Sequence, residues 1–318
     1  RYVVRKGDIL VGMDGEFNLE RWNDRDGLLN QRILRIKAID GLSDESYLYH
    51  LLAPLFKNIE KKVQGGSVKH LSAKIVENLY IPYVDFEEQV LIGKHLDTFT
   101  TLISNLESEL DMRRKQYEHY RTQLLDFEGV EGVEWKTLGE IGEFVRGNGI
   151  QKKDFVEEGF GCIHYGQVYT QFGLIATEVI SRIDEDLYKR CRKANYGDIV
   201  LATTSENVED VAKPVIWLGN EEIAVSNDAF IYKHNQNPIY IGGQFLTDKF
   251  FQFKVRNATG AKVIRLSGDN MANYRVALPP LDKQNEIAKS LKSFESLIQS
   301  LETEIKLRKQ QYSANKLE

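Results

Sequence analysis

Basic side chains gather in two short stretches of a chain that is acidic overall, with a formal net charge of −5. Within each stretch a single acid, Glu60 or Asp248, opposes the lysines and arginines. Such clusters suit the phosphates of a nucleic acid, because each neutralised phosphate releases condensed counterions. One stretch alone would equally suit a solvated helix face, and its recurrence favours binding. The basic residues are Lys57, Lys61, Lys62, Lys69 and Lys74, and then Lys249, Lys254, Arg256, Lys262 and Arg265.

Polar side chains suited to reading base edges occur in the segments between the apolar runs. Arginine and lysine donate to guanine, and asparagine and glutamine pair with adenine, in the major groove. Each such residue taken alone is also an ordinary loop side chain that faces solvent, so we expect base readers among them. The candidates are Arg146, Asn148, Gln151, Lys152, Lys153, Gln167, Ser205 and Asn207 in the second half of the chain, and Arg21, Arg25, Asn30 and Gln31 in the first.

The sequence contains little that could carry out catalysis. No glycine-rich loop ends in Gly-Lys-Ser/Thr, which argues against nucleotide hydrolysis. The segment 237–240, Asn-Pro-Ile-Tyr, differs from the Asn-Pro-Pro-Tyr loop of amino-methyltransferases at Ile239 and is predicted to be a capped helix start. Cys162 and His164 could begin a metal site, but the only other cysteine is Cys191. We therefore predict no catalytic, cofactor-binding or metal-binding residues.

An internal repeat carries all of these candidates. Pairing 65–117 with 260–312 gives 18 identities in 53 positions, and upstream "GDILVG" corresponds to "GDIVLA" after a small change of register. The second copy begins near Trp135. Projecting the repeat backward puts the start of the first copy about 55–60 residues before Arg1, so we expect the first copy to lack its front part.

Each copy has two parts of different pattern. The front part alternates short β-type runs with turn residues and helical segments, which predicts a mixed α/β domain. The back part has apolar residues at alternating spacings of three and four, which is typical of a coiled coil. A lone helix of this kind would pack on its own domain, but two in the same register favour an antiparallel pair. The seam residues are Leu96, Phe99, Ile103, Leu106 and Leu110, and then Leu291, Phe294, Ile298, Leu301 and Ile305.

The fold class predicted is therefore α+β, with two similar mixed α/β domains separated by two long antiparallel helices and a pseudo-two-fold internal repeat. Two cysteines in 318 residues fit a reducing cytoplasm, and no run approaches the roughly 18 apolar residues of a membrane span. The predicted division is 1–90 for the first domain, 91–126 for the first helix, 127–132 for a linker, 133–283 for the second domain and 284–318 for the second helix.

Several segments of the sequence resemble segments that are typical of a known family. The most specific is a short segment that follows a proline and precedes each predicted long helix. This segment ends at Gln89 in the first copy and at Gln284 in the second. With these phrases and its two-copy plan, the chain resembles the specificity subunit of type I restriction-modification systems over essentially its whole length. The matching phrases are "YIPYVDFEEQVLIGKHLDTFTTLI" (80–103), "IHYGQVYTQFGLI" (163–175), "YGDIVLATTSENVEDVAKPVI" (196–216) and "ALPPLDKQNEIAKSLKSFESLI" (277–298).

The resemblance implies that the two domains are target-recognition domains that read a bipartite double-stranded DNA target. It implies two methyltransferase (modification) subunits and restriction/translocase subunits as partners, with no chemistry in this subunit. A helix from about His95 to Leu125 would be roughly 45 Å long, a little more than one turn of B-DNA at roughly 34–36 Å. Two alternatives stay open: a stand-alone DNA-binding or coiled-coil protein, and a complete adenine DNA methyltransferase. Cofactor binding by the isolated chain would favour the methyltransferase.

Overall fold

The computed structural model describes residues 2–62 and 70–315. The chain divides into two compact units. The first unit comprises Arg1–Leu110 and Ser300–Glu318, and the second unit comprises Asp111–Gln299. Each long helix therefore contributes one segment to each unit.

The first unit is built on a small antiparallel sheet covered by a helix. Its elements, up to the end of the first long helix, are β1 (Val3–Val4), β2 (Ile9–Gly12), β3 (Leu19–Arg21), β4 (Gly27–Leu28), β5 (Ile33–Ile36), α1 (Glu45–Lys62), α2 (Ala73–Glu77) and α3 (Phe86–Leu125). The sheet has the strand order β3–β2–β5. Ile9 and Val11 alternate along β2 and pack with Leu52 and Phe56 of α1, which gives this unit its own buried core.

The remaining elements form the second unit and the second long helix. They are β6 (Glu134–Thr137), α4 (Leu138–Ile141), β7 (Gly142–Arg146), β8 (Phe160–Ile163), α5 (Tyr165–Thr170), β9 (Ile175–Ala176), β10 (Ser181–Ile183), α6 (Glu185–Arg190), β11 (Lys193–Ala194), β12 (Ile199–Ala202), β13 (Thr204–Ser205), β14 (Pro214–Trp217), β15 (Ile223–Val225), β16 (Ala229–His234), α7 (Pro238–Gln244), α8 (Asp248–Asn257), β17 (Ile264–Arg265), α9 (Gly268–Ala272), β18 (Arg275–Leu278) and α10 (Leu281–Asn315).

Two sheets make up most of the second unit. One has the strand order β7–β16–β12–β14–β9, and the other has the order β10–β8–β15–β11. The central strands β12 and β14 are buried on both faces, which explains their continuous apolar runs. Val200, Trp217 and Ile231 pack in one core cluster with residues of the other sheet, so the two sheets share a core.

Equivalent backbone pairing in the two units confirms the internal repeat. In the first unit Ile9 pairs with Arg21 on one side and Ile36 on the other, and in the second unit Ile199 pairs with Ile216 and Tyr232. The aspartate before each central strand makes the same contacts. The Asp8 carboxylate accepts from the Arg5 N–H at 2.9 Å and faces Arg35 at 3.2 Å. The Asp198 carboxylate accepts from the Asn195 N–H at 2.8 Å and from the Lys233 ammonium at 2.8 Å.

The first turn of each long helix contains a buried glutamine that ties the helix to its own unit. The Gln89 side chain donates to the carbonyl oxygen of Val84 at 2.8 Å and accepts from the Asp44 N–H at 3.1 Å. The Gln284 side chain donates to the carbonyl oxygen of Pro279 at 2.9 Å and accepts from the Asn237 N–H at 3.2 Å. The amide thus satisfies a loop carbonyl and a helix N-cap together, which explains the glutamine in both copies of the motif.

The two long helices pair antiparallel within each unit, as predicted. In the first unit Lys309 reaches Glu107 at 2.7 Å, and Asp97 and Tyr312 meet at the same histidine, His50. In the second unit the ring of Phe294 stacks on Tyr120 and also meets Tyr117, with centroids 5.4 and 6.0 Å apart. The predicted seam residues are all buried or half-buried.

Candidate nucleic-acid interface

In the second unit some members of the predicted basic stretch have protein partners and others have none. The Lys249 ammonium donates to the carboxylates of Asp126 and Glu128, both at 2.8 Å. Lys254 is buried, and its ammonium donates to backbone carbonyl oxygens of a neighbouring loop. Lys249 is therefore an exposed lysine whose charge is balanced by two acids, and Lys254 is a buried lysine whose charge does not face solvent as the sequence suggests.

The other three members of this stretch remain exposed. Arg256 lies near the end of α8, Lys262 in the following turn and Arg265 on β17. Over residues 2–62 and 70–315 the side chains of these three have no ion-pair or hydrogen-bond partner. Their charge is therefore uncompensated, as a phosphate ligand requires.

In the first unit the stretch is more open. Lys57, Lys61 and Lys74 are exposed. The Lys57 ammonium donates to the side chain of Asn18 at 3.1 Å and lies 4.0 Å from Glu60, a weak surface pair. Lys69 and the side chain of Lys62 lie outside the described residues.

Several predicted base readers use their polar atoms inside the second unit. The Asn148 amide donates to the Arg190 carbonyl oxygen at 3.0 Å and accepts from the Arg192 N–H at 2.7 Å. Gln167 is buried, donating to Ser181 at 2.8 Å and accepting from the His164 N–H at 3.0 Å. These two amides therefore hold loops in place.

The loop after β13 shows the same behaviour. Ser205 is buried, and its hydroxyl accepts from the Asn207 N–H at 3.4 Å. Asn207 itself is exposed. Its amide donates to the Asp210 carboxylate at 3.0 Å and accepts from the Asp210 N–H at 2.8 Å. Lys152 and Lys153 form an exposed one-turn 3₁₀ helix, and they remain open to a ligand.

Arg146 and Arg265 lie on one cleft of about 510 Å³ in the second unit, which we call the Arg265 cleft. The sequence did not single out the threonines that line it, Thr203, Thr204 and Thr259. Only the tertiary structure reveals these threonines, because β13 and β17 are far apart in the chain and pair in the fold, with Thr204 opposite Arg265. The cleft also contains Asp228, 3.8 Å from the Arg146 guanidinium.

The residues considered for catalysis have structural roles. The Asn237 side chain accepts from the N–H groups of Ile239 and Tyr240 at 2.9 and 3.0 Å, so this segment is a helix cap. Burial raises the pKa of the Cys162 thiol to about 12, which keeps it protonated and a poor nucleophile. Cys191 is a buried free thiol as well.

The described part of the chain holds no metal cluster and no membrane-spanning helix. Residues 2–62 and 70–315 contain no group of three or more histidine, cysteine or acidic residues placed to hold a metal ion. Over the same residues no helix is long and apolar enough to cross a membrane.

The fold and these side chains define a repeated α+β protein with exposed basic groups on both units. The chain belongs to the family described as the type I restriction modification DNA specificity domain, whose model matches residues 1–112 and 130–308. The match takes in both copies of the repeat and the larger part of each long helix.

Similar proteins agree with this family. The type I restriction enzyme MjaVIII specificity subunit of Methanocaldococcus jannaschii is 25% identical over 320 residues, covering 93% of this chain and 74% of that protein. The EcoR124I/EcoR124II specificity subunit of Escherichia coli is 25% identical over 324 residues, covering 98% of this chain and 79% of that protein. The crystal structure of the type I restriction-modification S subunit from M. genitalium has the same fold, with a TM-score of 0.70 at 16% identity over 99% of this chain and 83% of that one.

Proposed function

We propose that this chain is the DNA sequence-recognition subunit of a type I restriction-modification complex and that it reads a bipartite double-stranded target. Each repeat would read one half-site. The observation that carries this proposal is the repetition of one fold with exposed basic side chains at corresponding places in both units, such as Lys61 in α1 and Arg256 in α8. A repeated recognition fold suits a target with two separate parts, because each copy can bind its own sequence.

In this proposal, residues 1–90 and 133–283 are the target-recognition domains. Residues 91–126 and 284–318 are spacer helices, and 127–132 is a linker. Lys57, Lys61, Lys74, Arg256, Lys262 and Arg265 supply sequence-independent affinity through phosphates. Arg146 at the end of β7 and Lys152 and Lys153 on the exposed 3₁₀ turn reach the DNA.

The subunit scaffolds two methyltransferase subunits, one for each copy of the repeat, and restriction/translocase subunits join the complete complex. Adenine methylation, translocation and cleavage belong to those partners, and this chain acts in the cytoplasm without a cofactor of its own. Two copies of one fold offer two equivalent docking surfaces, which is the argument for two methyltransferases.

Methyl transfer separates this proposal from the methyltransferase alternative. The purified chain is incubated with mixed duplex DNA and radiolabelled S-adenosylmethionine, alone and with the cognate methyltransferase subunit. We expect no transfer by the chain alone, none by the partner alone and transfer by the two together. Turnover by the chain alone, in a preparation free of other subunits, would overturn the assignment.

Stoichiometry tests the scaffold role. The mass of the purified complex is measured by light scattering with the methyltransferase in excess. We expect two methyltransferase subunits for each chain. A single methyltransferase at saturation would contradict the proposed equivalence of the two docking surfaces.

A further inference from the structure

The floor of the Arg265 cleft is a cross-strand triplet. Thr204 lies opposite Arg265 in the β13–β17 pair. On its other side Arg265 exchanges two backbone hydrogen bonds with Thr259, at 2.8 and 2.9 Å. Directly opposed residues of antiparallel strands direct their side chains to the same face. The guanidinium therefore stands between two hydroxyl groups on one face of the cleft.

These three side chains are donors without a protein partner. Within residues 2–62 and 70–315 no protein group hydrogen-bonds to the Thr204 or Thr259 hydroxyl. The Arg265 guanidinium likewise has no hydrogen-bond partner there. The one acid of the cleft, Asp228, is offset by Arg146, whose guanidinium lies 3.8 Å away and also donates to the carbonyl oxygen of Asn227 at 2.9 Å. The positive charge of Arg265 is thus left for a ligand.

Backbone hydrogen bonds place this site in the framework of the second unit. The Leu266 N–H donates to the Thr203 carbonyl oxygen at 3.2 Å, and the Thr203 N–H donates to the Asp228 carbonyl oxygen at 2.9 Å. Thr204 follows Thr203 in the chain, and Arg265 precedes Leu266. The hydrogen bonds of Thr203 and Leu266 therefore fix the backbone beside both cleft residues.

The first unit repeats this framework with different side chains. The Leu71 N–H donates to the Met13 carbonyl oxygen at 2.6 Å, and the Met13 N–H donates to the Arg32 carbonyl oxygen at 2.9 Å. Asp14 forms an antiparallel bridge with His70, as Thr204 does with Arg265. The equivalent pairs are Asp14 and Thr204, Arg32 and Asp228, and His70 and Arg265.

The two sites keep the same kinds of charge although the acid has changed position. The Asp14 carboxylate accepts from His70 at 2.7 Å and from Arg32 at 3.1 Å. The His70 hydrogen bond lowers the pKa of Asp14, so this group is a carboxylate at neutral pH. In the first unit Asp14 contacts the largely exposed side chains of Arg32 and His70. In the second unit Asp228 lies beside the exposed Arg146 and lines the same cleft as Arg265.

We propose that these two equivalent sites each bind one phosphate of the DNA backbone, through Arg265 with Thr204 and Thr259 in the second unit and through Arg32 with His70 in the first. The proposal rests on the DNA-recognition function and adds to it a defined contact in each unit. In the second unit a concave cleft with an unpaired guanidinium and hydroxyl groups suits a phosphate, which accepts hydrogen bonds only. In the first unit the Arg32 and His70 side chains are largely exposed, although both contact Asp14. The phosphate backbone is common to every half-site, so a phosphate contact is compatible with two units whose side chains differ at the equivalent positions.

The test measures binding of the full chain to a fluorescent duplex pool of random sequence over a series of salt concentrations. The variants are Arg265→Gln, Arg265→Lys, Thr204→Val and Arg32→Gln, each checked for an unchanged melting profile. The control is Lys292→Gln, an exposed lysine of α10. Loss of one phosphate contact should make the log–log salt slope shallower by about 0.9.

We expect Arg265→Gln and Arg32→Gln each to weaken binding about tenfold and to lower the slope by about 0.9, with the double variant lowering it by about twice that. Arg265→Lys should keep the slope but lose part of the affinity, because a point charge cannot make the bidentate contact. Thr204→Val should weaken binding without changing the slope, and Lys292→Gln should match the wild type.

Two results would overturn the proposal. If the wild type binds and Arg265→Gln keeps the full salt slope, the cleft does not bind a phosphate. If sequencing of the bound pool shows that Arg265→Gln changes which sequences are selected, Arg265 reads a base instead. Failure of the wild type itself to bind the pool would overturn the DNA-recognition function, and the two failures are thereby distinguished.

Discussion

Lys254 is a buried charge whose effect on stability can be measured through pH. Its side chain is 4% exposed, and its ammonium donates to the carbonyl oxygens of Glu209 and Val211 at 2.8 and 2.9 Å. Burial lowers the pKa of Lys254 to about 8, and the nearby Glu209 and Asp210 oppose part of that lowering. In the unfolded chain a lysine has a pKa of about 10.4. Between these values the unfolded chain therefore binds more protons than the folded chain.

Linkage turns this difference into a stability change of known sign. The free energy of unfolding rises with pH wherever the unfolded state binds more protons. Below about pH 8 the lysine is protonated in both states, so its contribution does not vary. From about pH 8 to 10.4 the contribution grows by about 1.4 kcal/mol per pH unit, which gives about 3 kcal/mol in total.

The assay is urea unfolding of the wild type and of Lys254→Met at a series of pH values from about 7 to 10. Taking the difference between the two proteins removes the titration of all other groups. We expect this difference to be flat up to about pH 8 and then to rise in favour of the wild type by about 2 kcal/mol by pH 10.

Lys249→Met is the matched control on the same helix. Its hydrogen bonds with Asp126 and Glu128 raise the pKa of Lys249, so its stabilisation is constant until the pH passes the unfolded value of about 10.4. The corresponding difference for this control should be flat across the series. A flat difference for Lys254→Met as well would refute the burial of a charged ammonium at that position.

Three further substitutions test the packing of the long helices. Tyr312→Phe removes the hydroxyl 2.7 Å from His50 Nδ1 and should lower the free energy of unfolding by about 1 kcal/mol; calorimetry of the variant measures this, and an unchanged melting temperature would contradict it. Gln284→Leu leaves the Asn237 N–H and a loop carbonyl unsatisfied and should destabilise by about 2–4 kcal/mol, with Gln284→Glu as the size control. Phe294→Ala removes a ring that packs on two tyrosines of α3 and should cost about 3–5 kcal/mol by chemical unfolding, whereas a loss below about 1 kcal/mol would show that the rings are not packed.

The repeat and the helix seams were predictable because they are local or periodic in the sequence. Residues at spacings of three and four share a helix face whatever the rest of the fold does, and Ile103 and Ile298 are both buried. The helix start at Asn237 was predictable for the same reason, since a polar cap followed by proline is a local signal.

The exposure of individual polar side chains was not predictable in this way. Lys254 is buried because carbonyl groups more than 40 residues earlier in the chain meet its ammonium, and the sequence shows only a basic residue on a helix. Gln167 is occupied for a similar reason by Ser181. The Arg265 cleft was missed because Thr204 and Arg265 become neighbours only when β13 and β17 pair.

The central claim, recognition of a bipartite DNA target by a subunit that directs a separate methyltransferase, is tested most directly by mapping methylated adenines. The full chain is expressed with its cognate methyltransferase subunit in cells without other adenine methylation, and the whole genome is read for the modified base. We predict methylation at one motif made of two short half-sites separated by a fixed gap, and none when either protein is omitted. A single continuous motif, or the same methylation without this chain, would contradict the account.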